Sequence, residues 1–281
     1  MTVLLDARGI SLTRGRRRVL QPVDLRVRAG LTHALLGPNG AGKTTTLGIL
    51  TGLLPPSTGR VEVDGIDIRE PAARALLGYA PDDLPLPVAL TGREYLTLHD
   101  RLRRRDDSAR ADALCTLLGI RDALGRQIAE YSHGMRRKLQ FVASVAHEPL
   151  VLVLDEPFRG LDPRAADLVR RYLAGFTASG RAVLVATHDL LRAERDGDHV
   201  WLLDAGRVVA EGSPAAVRAS ADAHDLEQAF PRLTSGGLDT DAEARLLREL
   251  LPGEAADPPT EHPAVRASAS PASVTLERTT P

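Results

Sequence analysis

"LTHALLGPNGAGKTTTLGIL", residues 31–50, decides how this chain is read. The apolar run at Ala34, Leu35 and Leu36 predicts a strand. The glycines at Gly37, Gly40 and Gly42 predict a tight loop, and residues 43–53 a helix. A strand, a glycine-rich loop and a helix start, in that order, are the setting of a phosphate-binding loop. Glycines let successive backbone N–H groups turn toward an anion, and the helix N-terminus adds partial positive charge. The cradle would run through Gly37, Pro38, Asn39, Gly40, Ala41, Gly42, Lys43, Thr44 and Thr45. Lys43 would reach the β- and γ-phosphates, and the Thr44 hydroxyl would be offered to Mg²⁺. Lysine occurs only here and at Lys138 in a chain whose other basic residues are arginine, so each lysine draws notice.

The second informative stretch is "PLVLVLDEPFRGLDP", residues 149–163. Its unbroken apolar run predicts a parallel strand buried on both faces, ending at Asp155 and Glu156. Ligands and catalytic groups collect at the carboxyl ends of such strands. Asp155 is expected to hold Mg²⁺ through its water shell, and Glu156 to accept a proton from an attacking water or to orient it. A third strand, in "RAVLVATHDL", is expected to end at His188 at the same sheet edge, where its ring could donate to a phosphate. A GTPase is disfavoured because an asparagine-lysine guanine reader is impossible: the two lysines follow Gly42 and Arg137.

"YSHGMRRKLQ", residues 131–140, predicts a helix capped by Ser132, with Met135, Leu139, Val142 and Val145 on one apolar face. Taken with "GPNGAGKTT", "LVLVLDEP", "GLD" and "ATHDL" in this order, it makes the chain resemble the ATP-binding cassette (ABC) ATPases over about residues 4–234. The resemblance implies an α/β P-loop fold with a RecA-like parallel-sheet core, an antiparallel β subdomain and an inserted α-helical subdomain. It also implies ATP and Mg²⁺ as cofactors and a head-to-tail dimer, in which Ser132, His133 and Gly134 of one subunit meet the ATP held by Lys43 of the other. Asp162 of "GLD" joins the nucleotide site by the same resemblance.

Three departures from the family pattern stand out. The usual LSGGQ reads YSHGM here, a variant similar to that of drug and antibiotic exporters, and "LTGREYL" (residues 90–96) also occurs as in that group. The family's glutamine after "GY-x-P" is replaced by Asp82, which could still reach Mg²⁺ or its water while adding negative charge. At the position of the family's adenine-stacking aromatic ring stands Arg14, whose guanidinium plane could stack on a base or simply face solvent.

Composition bounds the rest. A formal net charge of −1 gives no overall field for nucleic acid, and the arginine runs at residues 14–18 and 101–105 read as solvated faces. No apolar run approaches the roughly 20 residues of a membrane helix, so a membrane role requires a partner, which the resemblance identifies as an integral permease. The single cysteine, Cys115, lies in the apolar "ALCTLLGI" and reads as a buried reduced thiol, in keeping with a cytosolic setting; the resemblance implies a place on the inner face of the plasma membrane, held there by the permease. Residues 1–235 read as the ATPase domain, with its helical subdomain at about 83–146. Residues 236–281 read as an extension, with a capped helix at about 240–251 and a disordered tail. The reading is the ATPase subunit of an exporter. A soluble ABC ATPase of translation or DNA repair is disfavoured by the single cassette, and a non-hydrolysing regulatory subunit by the intact Glu156 and His188.

Overall fold

A computed structural model describes residues 1–82 and 85–234. The expected helix at 240–251 and the tail lie outside the described residues. In chain order the elements are β1 (Val3–Arg14), β2 (Arg17–Arg28), β3 (Thr32–Leu36), α1 (Lys43–Leu50), β4 (Thr58–Val63), β5 (Ile66–Asp67), α2 (Pro71–Ala75) and β6 (Leu77–Ala80). They continue with α3 (Gly92–Arg103), α4 (Ser108–Leu117), α5 (His133–Val145), β7 (Val151–Asp155), α6 (Pro163–Ala178), β8 (Ala182–Thr187), α7 (Leu190–Asp196), β9 (His199–Asp204), β10 (Arg207–Gly212), α8 (Pro214–Ser220) and α9 (Leu226–Leu233). No helix among the described residues is long and apolar enough to cross a membrane.

Two sheets organise the chain. An antiparallel sheet has the order β2-β1-β4-β5, and a second sheet the order β10-β9-β3-β8-β7-β6, parallel except for β10 at its edge. Side chains alternate faces along a strand. On β7, Val151 and Val153 pack toward the antiparallel sheet and α1, whereas Leu152 and Leu154 join a core with α5 and α6. On β8, Leu184 takes the first side and Val183 and Val185 the second. This double burial is the physical reason for the unbroken apolar run at 150–154.

Most elements lie where the residue patterns put them. β9 and β10 form the hairpin around "DAGR", and Ser132 caps α5 by accepting from the Met135 amide at 3.2 Å. α3 opens on a reciprocal cap: the Thr91 amide donates to the Glu94 carboxylate at 2.8 Å, and the Glu94 amide to the Thr91 hydroxyl at 3.1 Å. Two boundaries differ from expectation. α1 ends at Leu50 rather than at residue 53, because the chain turns through Gly52 at φ 74°, and β8 stops at Thr187, one residue before His188. Cys115 is fully buried, and burial pushes its thiol up to about 12. Of the second arginine run, Arg103 is not a solvated residue; it reaches inward to donate to the Ala143 carbonyl at 3.2 Å.

Burial also sets the acid stability of the fold. It lowers His33, His99 and His147 to about 4 each, aided by the positive charge of Arg28 at His33 and Arg103 at the other two. These rings are neutral when folded but titrate near 6.5 when unfolded, so their contribution is complete above about pH 6.5 and is lost as the pH falls through about 4. Unfolding near pH 5 is expected to take up about two to three protons on these rings. Urea unfolding measured between pH 4.5 and 6.5 reads this as stability rising with pH; a flat dependence would contradict it.

Candidate nucleotide site

The sheet order places the functional groups. β8 lies between β3 and β7, so the phosphate loop after β3, His188 after β8 and Asp155 with Glu156 at the end of β7 stand side by side at one carboxyl edge. Asp82, two residues beyond β6, extends that row by one strand. A cavity of about 580 Å³ is lined by Gly37, Pro38, Asn39, Asp82, Glu156, Arg159 and His188, among others.

The loop is tightly built. A Cβ at Gly37 would stand 2.2 Å from the Leu203 carbonyl oxygen, so no other residue fits there without moving β9. Gly40 and Gly42 take φ of 81° and 107°, in the region that favours glycine. Lys43 begins α1, and its ammonium donates to the Gly37 carbonyl at 2.7 Å and to the Pro38 carbonyl at 3.2 Å. Burial lowers its pKa, while Glu156 and Asp155 pull it back up. On the far side of the loop, a groove of about 450 Å³ brings Arg14 together with Arg17, Val19, Lys43, Thr44 and Thr45. Arg17 and Val19 were not marked from the sequence; for Arg17, its position opposite Arg14 across the β1–β2 turn was the available signal.

Asp155 is buried, and the Thr44 hydroxyl donates to its Oδ2 at 3.3 Å. Burial, with the Asp82 carboxylate next, raises its pKa to about 6. Glu156 adopts φ 49°, a left-handed conformation rare outside glycine and often found at functional sites. Its carboxylate is turned onto the end of β8. Thr187 Oγ1 donates to Oε2 at 2.9 Å, the His188 amide donates to Oε1 at 2.9 Å, and His188 Nδ1 lies 2.6 Å from Oε1. With a carboxylate there the ring proton belongs on Nδ1, which leaves Nε2 an acceptor while the ring is neutral. Donation from His188 to a phosphate therefore needs the imidazolium form.

Both oxygens of Asp82 are taken by arginines, Arg137 on α5 and Arg159 at 2.8 Å. The paired carboxylate still adds negative charge at Asp155, as the sequence led one to expect. Asp162 caps α6 through the Ala165 amide at 2.8 Å and accepts from Lys138 at 2.9 Å, so the second lysine fastens α5 to this loop. Neither cavity lined by the phosphate loop includes Ser132, His133 or Gly134. His133 instead packs on Gly160, where a Cβ would approach its ring to 2.7 Å.

Tyr131, the first departure in "YSHGM", has a structural cause. Its buried hydroxyl donates to the Ala123 carbonyl at 2.7 Å, and a Cβ at Gly92 would come within 2.2 Å of that oxygen. Gly92→Ala is expected to destabilise the chain by about 1–3 kcal/mol, and adding Tyr131→Phe to recover part of the loss. Denaturant melts of the single and double variants check this; equal losses would show that Tyr131 is not the residue displaced.

The family described as "ABC transporter" matches residues 20–159. The daunorubicin resistance ATP-binding protein DrrA3 of Streptomyces coeruleorubidus is 39% identical over 248 residues, 83% of this chain and 78% of that protein. The chain belongs to the ABC transporter family. It is an ABC-type ATPase, with the fold that goes with it. The Nod factor export ATP-binding protein I of Cupriavidus metallidurans is 36% identical over 219 residues, 76% of this ABC chain and 72% of its own length. A solved ATP-binding subunit of an ABC transporter superposes with TM-score 0.78 at 30% identity, covering 82% of this chain and 99% of that one.

Proposed function

We propose that the chain is the ATP-hydrolysing subunit of an exporter, working as a head-to-tail pair on a separate integral membrane permease at the cytoplasmic face of the plasma membrane. The grip on Glu156 carries this reading. A carboxylate oriented by Thr187 and His188, in the same cavity as Gly37, Pro38 and Asn39, is a general base set beside a phosphate loop. The loop at 37–45 would hold the phosphates, with Lys43 exchanging its loop carbonyls for phosphate oxygens. Arg14 flanks the same loop and would cover the base.

The hard oxygens of Thr44 and Asp155 suit Mg²⁺, which takes one or two carboxylates and substrate phosphates rather than an all-protein cage. Among the described residues no group of three or more His, Cys, Asp or Glu forms such a cage. Bound Mg²⁺ would neutralise charge on the β- and γ-oxygens. In hydrolysis, Glu156 takes a proton from water as the water oxygen bonds to the γ-phosphorus. The bond from that phosphorus to the β–γ bridging oxygen breaks, and ADP leaves with the bridging oxygen and its electron pair.

Ser132 and Gly134 lie outside the loop's own cavities, so a second copy would supply them. The chain carries both halves of such a site, and two identical copies suffice. The export direction is supported by the names of the relatives, one a drug-resistance protein and one a Nod factor export protein. The net charge of −1 supports no nucleic-acid partner. The test is affinity purification of the tagged chain from detergent-solubilised host membranes, against untagged and Lys43→Ala controls. A stoichiometric multi-span protein is expected. Recovery with ribosomal or DNA-repair proteins, and no membrane protein, would overturn the transport reading and leave the ATPase chemistry standing.

A further inference from the structure

Arg137 and Arg159 stand on different elements and share one carboxylate. Arg137 lies on α5, five residues after the cap Ser132, and only 8% of its side chain is exposed. It donates to the Pro81 carbonyl at 3.0 Å and to Asp82 Oδ1. Arg159 lies three residues after Glu156 with 63% of its side chain exposed, and it donates to Asp82 Oδ2 at 2.8 Å. Asp82 itself is 22% exposed. Beside this bridge, Lys138 ties the next position of α5 to Asp162, and Gly160 receives the His133 ring. Consecutive residues of α5 therefore fasten to the loop that leaves Glu156, Arg137 through Asp82 to Arg159 and Lys138 directly to Asp162.

We propose that Asp82, Arg137 and Arg159 are positioning residues: the carboxylate shared by the two guanidinium groups fixes where the start of α5 stands relative to the loop carrying Glu156. Asp82 acts through the arginines and not as a metal ligand. An anion between two cations is held far more firmly than an exposed single pair, and the half of the bridge at Arg137 is shielded from solvent. Removing the carboxylate leaves a nearly buried guanidinium with, among the described residues, the Pro81 carbonyl for a partner, so α5 and the loop lose their common anchor. The bridge gives residues 132–134 a route by which their position bears on hydrolysis. This inference rests on the proposed hydrolytic role of Glu156, and its first test does not.

That test compares amide hydrogen exchange in the full chain for Asp82→Asn, Arg159→Gln, their double variant and Asp82→Glu. Each single variant is expected to speed exchange about tenfold in both residues 133–140 and 156–162, leaving β3 and β8 unchanged. The double variant should do no more than either single one, and Asp82→Glu should restore most of the protection. Arg159 is largely exposed, so Arg159→Gln keeps the fold even if an Asp82 variant does not. Acceleration confined to one of the two segments, or effects that add in the double variant, would overturn the proposal. The second test follows ATP turnover against Mg²⁺. Asp82→Asn and Arg159→Gln should lower kcat alike, by about tenfold, with an unchanged half-saturating Mg²⁺ concentration. A raised Mg²⁺ requirement in Asp82→Asn alone would make Asp82 a metal ligand and refute the inference. A chain that hydrolyses no ATP would sink the functional reading while the exchange result still decided the bridge.

Discussion

Glu156→Gln is expected to lower ATP turnover by about 10² or more while leaving nucleotide binding close to that of the parent chain. The substitution keeps the side chain's shape, and its surroundings tell which way the amide will turn. At Oε1 the carboxylate meets two donors, the His188 amide and Nδ1; at Oε2 it meets the Thr187 hydroxyl. The new carbonyl oxygen can keep the two donors, and the new NH₂ can donate to Thr187, whose hydroxyl accepts as well as donates. The Thr187 hydroxyl, which already accepts from the Asp189 amide at 3.1 Å, gives up its own acceptor, a cost of about 1–3 kcal/mol that should leave the left-handed backbone at this position and the phosphate loop in place. What disappears is the group able to take a proton from water. Steady-state turnover with a parallel titration of a fluorescent ATP analogue separates the two effects. Near-normal turnover would remove Glu156 from the chemistry.

Lys43→Ala acts at the earlier step. The ammonium bridges the loop carbonyls of Gly37 and Pro38 and is half-buried between them and the acidic end of β7. It serves both as the loop's internal strut and as the positive charge nearest its mouth. Charge-assisted hydrogen bonds contribute about 1.5–3 kcal/mol each, so losing two on the phosphates should weaken ATP binding by about 10²-fold or more. Calorimetric titration reads this directly, and an affinity within twofold of the parent would contradict it. The two variants thus separate: one binds without turnover, the other scarcely binds.

The residues that named the fold were those whose chemistry depends on near neighbours in sequence. The loop at 37–45, the buried strand ending in Asp155 and the serine cap of α5 each carry their signal within about ten residues, where periodicity and turn chemistry operate. The contacts that crossed longer spans were not legible. Asp82 read as a lone carboxylate near a metal because nothing local ties it to Arg137 or Arg159, 55 and 77 residues away. With 36 basic and 37 acidic residues, charge alone cannot select such pairs. Lys138 was conspicuous by rarity, but its partner Asp162 became visible only when α5 and α6 were packed. The short edge strand β6 carries too few residues for a two-residue period to declare itself. His188 was placed at the correct sheet edge, whereas its turn onto Glu156 follows from the backbone of its neighbour, which a sequence does not display.

The strand order has a consequence for synthesis. Thr32 of β3 pairs with Val183, and His33 with His199, so the strand that presents the phosphate loop acquires both neighbours only after most of the chain has been translated. At about 5–20 residues per second, roughly eight to thirty seconds pass between the emergence of β3 from the ribosome and that of β8. During that interval an apolar strand and its glycine loop wait without their sheet. A nascent chain halted before β8 should therefore be a client for chaperones and unable to retain nucleotide, even with its complete lysine loop already made.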